Sequence, residues 1–180
     1  MNLKRNSAIA MSLLAFSVSA VMADTQDLPN YQQVNNFLAR GGAPSTKGVQ
    51  MLHDRHIGMV IDTRVPGPGS TDEQREVERL KMEYLSMPIG TEVPTDQQVS
   101  RFVQTVDSAQ PKENMDWIPG VYVHGEQGKH GANCLVAIWR VTRDHWPYKR
   151  AMVEAQRHGM DKEGPLANKV KEYADGAKKL

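Results

Sequence analysis

The chain has one cysteine, Cys134, in 180 residues. An internal disulfide is therefore excluded, and a disulfide-stapled scaffold with it. Aromatic residues make up only 6% of the sequence. Charge of one sign is also scarce: 22 Lys and Arg stand against 21 Asp and Glu. Such a balance points neither to nucleic acid nor to an anionic membrane surface. One long apolar run occurs, from Ala8 to Val21, preceded by Lys4 and Arg5 and followed by the small-residue site Val21-Met22-Ala23. These features predict a secretory signal peptide over 1–23, too short and wrongly flanked for a stable membrane span. Cleavage after Ala23 would leave 157 residues of net charge −1, exported to the periplasm or beyond. No second apolar segment approaches spanning length, so the mature protein is expected to lack a membrane span. Its length is enough for one domain with a real core.

Strand and helix patterns alternate along residues 24–180. Asn36–Arg40 reads as a first strand, with Gly41-Gly42-Ala43-Pro44 as a turn. Ser45 or Thr46 can cap a helix to about His56, with Val49, Leu52 and His56 along one side. Met59–Arg64 is a compact apolar strand ended by the breaker Pro66-Gly67-Pro68-Gly69. Capping-box pairs Thr71/Gln74 and Thr95/Gln98 predict helices to Met82 and Ala109, with a strand over Tyr84–Pro88 between them. Two more helices follow, Pro147–His158 and Leu166 to about Lys178. This alternation predicts one α/β domain: a central parallel-rich sheet flanked by helices in three layers.

The most informative stretch runs Val121-Tyr122-Val123-His124-Gly125-Glu126-Gln127-Gly128-Lys129-His130-Gly131-Ala132, then an apolar run to Arg140. It predicts a buried strand, a turn with three glycines in seven residues, and a core helix. Curling of this kind points successive N–H groups inward at a helix N-terminus, where the helix dipole favours an anion. Residues 126–131 (Glu126, Gln127, Gly128, Lys129, His130 and Gly131) are the candidate anion-binding loop.

That stretch resembles the active-site loop of the cysteine-dependent tyrosine and dual-specificity phosphatases, whose signature is Val-His-Cys-x5-Arg-Thr/Ser. His124 matches the family His and Gly128 the central Gly. Gly125, however, stands where the nucleophilic Cys belongs, Gly131 where the Arg belongs, and Ala132 where the hydroxyl residue belongs. The likeness extends along the chain. Arg40-Gly41-Gly42-Ala43-Pro44-Ser45 is similar to the family's Arg-Ser/Gly-Gly-Gln-Pro opening, and Gly58–Arg64 to its Gly-Ile-x-x-Val-Ile-Asn/Asp-Leu-Arg strand. Arg140 through Trp146, then Ala151 through Glu154 to Gly159, resembles its Tyr-Arg-x5-Trp-x4-Ala-x2-Glu pattern. The resemblance implies a phosphatase-like fold.

In the family mechanism a thiolate attacks phosphorus, an Arg clamps two phosphate oxygens, and an Asp protonates the leaving group. Gly125 has no side chain to attack with, and Gly131 no guanidinium fork. The acid loop Pro88–Pro94 has no aligned Asp, leaving Glu92 as its substitute. Cys134 and Arg140 satisfy Cys-x5-Arg by count, but the five residues between them are apolar and glycine-free, so Cys134 is expected to be a small buried residue of the core helix. His124, Glu126 and His130 carry metal-ligand chemistry, yet a buried support and two rim residues are the simpler assignment; neither a metal nor another cofactor is expected. His53 and His56 read as a surface and a core-edge residue, Trp139 and Trp146 as packing residues, and Lys129 as a solvated rim residue that could attract an anion. Three functions are compatible with this pattern. The first is an inactive pseudophosphatase that engages a phosphorylated ligand or protein partner. The second is a phosphoric-ester hydrolase using a non-cysteine nucleophile, such as His124, or a metal-bound water. A structural domain without a ligand is the third.

Overall fold

The computed structural model describes residues 26–110 and 119–176. The expected leader over 1–23 lies outside them. A five-stranded sheet has the order β1-β2-β5-β3-β4, with β1 Gln32–Gln33, β2 Leu38–Gly41, β3 Ile57–Asp62, β4 Glu83–Ser86 and β5 Gly120–His124. Only the β1–β2 pair is antiparallel; β2, β5, β3 and β4 run parallel. The described helices are α1 Thr46–Asp54, α2 Pro68–Arg79, α3 Asp96–Ser108, α4 Gly131–Thr142, α5 Tyr148–Arg157 and α6 Pro165–Ala174. The predicted three-layer α/β architecture is thus the observed one.

Side-chain alternation on the strands divides the core in two. Leu38, Ile61, Val121 and Val123 face α3 to α6, in a cluster with Phe102, Leu135, Trp139 and Val170. Ala39, Val60 and Tyr122 face α1 and α2, packing with Val49, Leu52 and Val77. Central β5 is buried at all five residues, as a parallel strand covered on both faces must be. Helix α4 is buried continuously from Gly131 to Arg140 because it lies under the sheet and against α5 and α6; its all-round apolar sequence is the signature of that position. Phe37 and Phe102 meet Trp139 edge-on, with centroids 6.2 and 6.5 Å away.

Several boundaries differ from expectation for local reasons. The strand expected to come first is β2, preceded by β1, and it starts at Leu38, not Asn36, because the Asn35 side chain accepts hydrogen bonds from the Phe37 and Leu38 N–H groups and turns the chain there. Pro68 and Gly69 open α2 instead of breaking the chain: proline is tolerated at the first helical position, where its missing N–H costs nothing. The cap is accordingly Gly67 with Ser70, whose hydroxyl accepts from the Gly67 N–H, while Thr71 only donates to the Gly67 carbonyl. His56 is exposed beyond the end of α1, in the left-handed region at φ 63°, and is no core-edge residue. The Thr95/Gln98 capping box forms as expected, and Gln98 Nε2 also donates to the Pro88 carbonyl, tying α3 to the loop after β4.

Phe102 is fully buried between the sheet and Trp139. Phe102→Ala is expected to destabilise the domain by about 3–5 kcal/mol in urea unfolding, whereas Val65→Ala, on an exposed residue, should change stability by under about 0.5 kcal/mol.

Candidate active-site loop

Strand β5 ends at His124, and the chain then bends through 125–130 before α4 begins at Gly131. The loop rests on the Gly41-Gly42 turn. Gly128 adopts φ 72°, and a Cβ there would stand 2.4 Å from the Gly41 carbonyl oxygen, so only glycine fits. The Glu126 carbonyl accepts from Ala43 N–H at 3.1 Å, and the Tyr122 hydroxyl donates to the Gly42 carbonyl at 2.7 Å. Among the described residues, the N–H groups of 126–131 donate to no protein acceptor. Residues 125–131 border a cavity of about 250 Å³ together with Thr63, Arg64, Gly90 and Thr91. An anion in this cavity would meet free N–H groups, a helix N-terminus and a guanidinium.

All six candidate loop residues, 126–131, line that cavity, as does Gly125. Ala132 does not; it is buried in the first turn of α4. Glu92 is exposed and faces the adjoining cavity, with Val93, Asp161 and Glu163; only Thr91 and His130 border both. Cys134 lies within α4, fully buried, with its Sγ directed at the Leu166 carbonyl at 3.7 Å. Burial pushes its thiol up to about 12, the charge of Lys169 opposing only weakly. Arg140, its partner by count, is committed to Glu154, Asp144 and the Val34 carbonyl.

Beneath the loop lies a charge network that the sequence did not announce. His124 is completely buried, and its Nε2 sits 2.7 Å from Glu73 Oε1. Arg64 joins the two carboxylates: Nε and Nη2 donate to Asp62 and Nη2 also to Glu73, at 2.6–3.0 Å. The Tyr84 hydroxyl donates to Asp62 at 2.7 Å. Burial alone would raise the Asp62 pKa, but the bonds from Arg64, the charge of His124 and the Tyr84 hydroxyl outweigh it and hold the carboxyl below its ordinary value. Burial likewise works against the Arg64 charge, and the bond to Asp62 with the charges of Glu73, Asp62 and Glu126 overcomes it. The ligand atoms of Asp62, Glu73 and His124 lie within 4.8 Å of one another, a spacing that could hold a metal ion. Arg64 already supplies the cation, leaving little need for one. His124 is separated from Glu126 and His130, so the three do not form a metal site: His124 is below the loop, and the other two are exposed on its rim. Glu73 could have been suspected from its i, i+4 spacing to Val77 on the buried side of α2; nothing in the sequence pairs it with His124.

The two degenerate signature positions differ sterically. A Cβ at Gly125 would approach Thr63 Oγ1 at 3.1 Å, a contact that a small shift relieves. A Cβ at Gly131 would lie 2.7 Å from Ile89 Cγ2 and 3.0 Å from Ile89 Cβ. Ile89 is itself buried, its N–H held by the Thr63 carbonyl at 3.0 Å. The space a residue-131 side chain needs is therefore occupied.

The family described as "DSP-PTPase phosphatase fused to NAD+ Kinase" matches residues 11–173, and the chain belongs to it. A search of curated proteins found no match. Among solved structures, a putative phosphatase from Shewanella putrefaciens CN-32 superposes with a TM-score of 0.68 at 16% identity, covering 86% of this chain and 97% of its own. The core catalytic domain of the PP-IP phosphatase SIW14 from S. cerevisiae gives 0.66 at 16% identity, covering 83% and 88%. TpbA of P. aeruginosa gives 0.64 at 17% identity, covering 83% and 85%. The protein is thus a phosphatase-fold member related to the dual-specificity phosphatases, and at these identities the superpositions establish fold alone.

Removing one partner from the network would leave the others buried and uncompensated. Glu73→Ala is expected to cost about 3–5 kcal/mol in chemical unfolding. Cys134 should resist alkylation in the native protein at mildly alkaline pH and react fully once denaturant is added, followed by mass spectrometry.

Proposed function

We propose that this protein is a catalytically inactive phosphatase-fold domain, exported from the cytoplasm, whose loop cavity receives a phosphate or related anion carried by a small ligand or a partner protein. The observation that carries the proposal is the pair Gly125 and Gly131, at the end of β5 and the start of α4, around an otherwise retained loop. The loop offers neither a thiolate nor a transferable guanidinium at the signature positions. Phosphoryl transfer depends on positioning and charge stabilisation, so losing both groups removes most of the catalytic machinery. What is left is binding chemistry. That SIW14 has been captured with citrate, and TpbA with phosphotyrosine, supports the expectation that loops on this fold take anions.

The alternative, an ester hydrolase with a non-cysteine nucleophile, finds little support in His124, which is fully buried and bonded to Glu73. Export is supported by the Ala8–Val21 run, its preceding Lys4 and Arg5, and the Val21-Met22-Ala23 site. Among the described residues, no helix is long and apolar enough to cross a membrane.

The purified protein is expected to show no turnover of a generic aryl phosphate. Turnover abolished by Cys134→Ser would overturn the inactive reading, and turnover that survives that change but is lost with a chelator, or in a His124→Ala variant shown to fold, would favour the hydrolase instead. A mature N-terminus at Asp24 in a periplasmic fraction, read by mass spectrometry, checks export. Restoring the signature should require three changes. Gly125→Cys with Gly131→Arg is expected to melt well below Gly125→Cys alone because of Ile89. Adding Ile89→Ala should recover the melting temperature and tighten phosphate binding, with turnover recovering less, since Glu92 faces away from the cavity.

A further inference from the structure

The geometry points to Arg64, two residues beyond the end of β3, as the residue that anchors a tetrahedral oxyanion in this cavity, with the Glu126 carboxylate as its displaceable intramolecular stand-in. This rests on the anion-binding reading above and assigns the cation that Gly131 no longer provides. The ligand class is the phosphomonoester dianion.

Three observations carry it. First, Arg64 borders the loop cavity and also the adjoining recess formed by Gly67, Pro68, Gly69 and Ser70 at the start of α2. Second, its guanidinium is fixed on one side only. Nε and Nη2 are consumed by Asp62 and Glu73, whereas Nη1 makes no hydrogen bond among the described residues. Glu126 Oε2 lies 4.0 Å from it, too far for a hydrogen bond. Third, the two acidic partners are almost completely buried while Glu126 is 79% exposed on its side chain, so Glu126 can swing into water without disturbing the network. Lys129 is the other cation on the cavity rim, but it is exposed, with its stem lying along Gly159, and it is not similarly fixed.

A planar guanidinium held by two carboxylates loses little side-chain entropy when it donates to an anion. Its charge is partly spent on Asp62 and Glu73, so it anchors less strongly than a freely offered Arg would. Glu126, close to Nη1, repels an incoming dianion and must move away for it to bind. This pairing predicts weak native binding that improves when the carboxylate is neutralised.

Inorganic phosphate titrated into the purified protein at low salt, followed by nitrogen-15 NMR, tests the assignment. The Arg64 side-chain resonances are expected to shift saturably and in step with the amides of 126–131. Glu126→Gln should tighten phosphate binding about threefold to tenfold, a change of about 0.7–1.4 kcal/mol. Glu83→Gln, at the opposite end of the sheet, should leave it unchanged. Arg64→Lys should weaken binding further than Lys129→Ala does; should that variant not fold, the Arg64 resonances and Glu126→Gln still decide. Amide shifts with static Arg64 resonances, or an unchanged affinity in Glu126→Gln, would overturn the role of Arg64 and leave the anion reading standing. Absence of binding by both the native protein and Glu126→Gln would overturn both.

Discussion

Below the loop, Asp62, Glu73 and His124 are closed off from water and bonded to one another through Arg64, which stands at the cavity wall, and the position of the loop follows from them. Arg64 draws the end of β3 toward α2, Glu73 draws α2 toward the end of β5, and His124 fixes where β5 stops. A buried ionic cluster of this kind contributes little net stability relative to an apolar core, but breaking any member is costly. Its effect is geometric. It fixes the place where three parallel strands end together, which is where ligands approach folds of this kind. The Gly41-Gly42 turn completes the support from the other side, through close backbone approach to Gly128 and a Tyr122 hydroxyl bond.

The architecture was legible because its signals are local. β5 and α4 are mostly apolar runs, and Thr95 with Gln98 announces a helix start by a mechanism confined to four residues. The errors came from competing local chemistry: the Asn35 side chain delays a strand, and a proline favours a helix start over a break. The candidate site was half legible. The loop, its missing Cys and Arg, and the burial of His124 and Cys134 could be read from spacing and resemblance. Glu73 could not be matched to His124, because 51 residues separate them and α2 brings them together only after folding. Nor could Ile89 be seen as the occupant of the residue-131 space, since its contact depends on the route of the loop after β4.

The contact between Ile89 and residue 131 also bears on history. A lineage that once carried an arginine at 131 had to keep that volume clear. Once glycine stood there, a larger side chain from the adjacent loop could settle into the void and gain packing energy. From then on, return of the arginine alone meets a filled space, and shrinking Ile89 alone leaves a hole. Each single step is unfavourable while the pair together is not. If an arginine was ancestral at this position, its return is opposed by ordinary core packing, a one-way latch that is independent of any ligand.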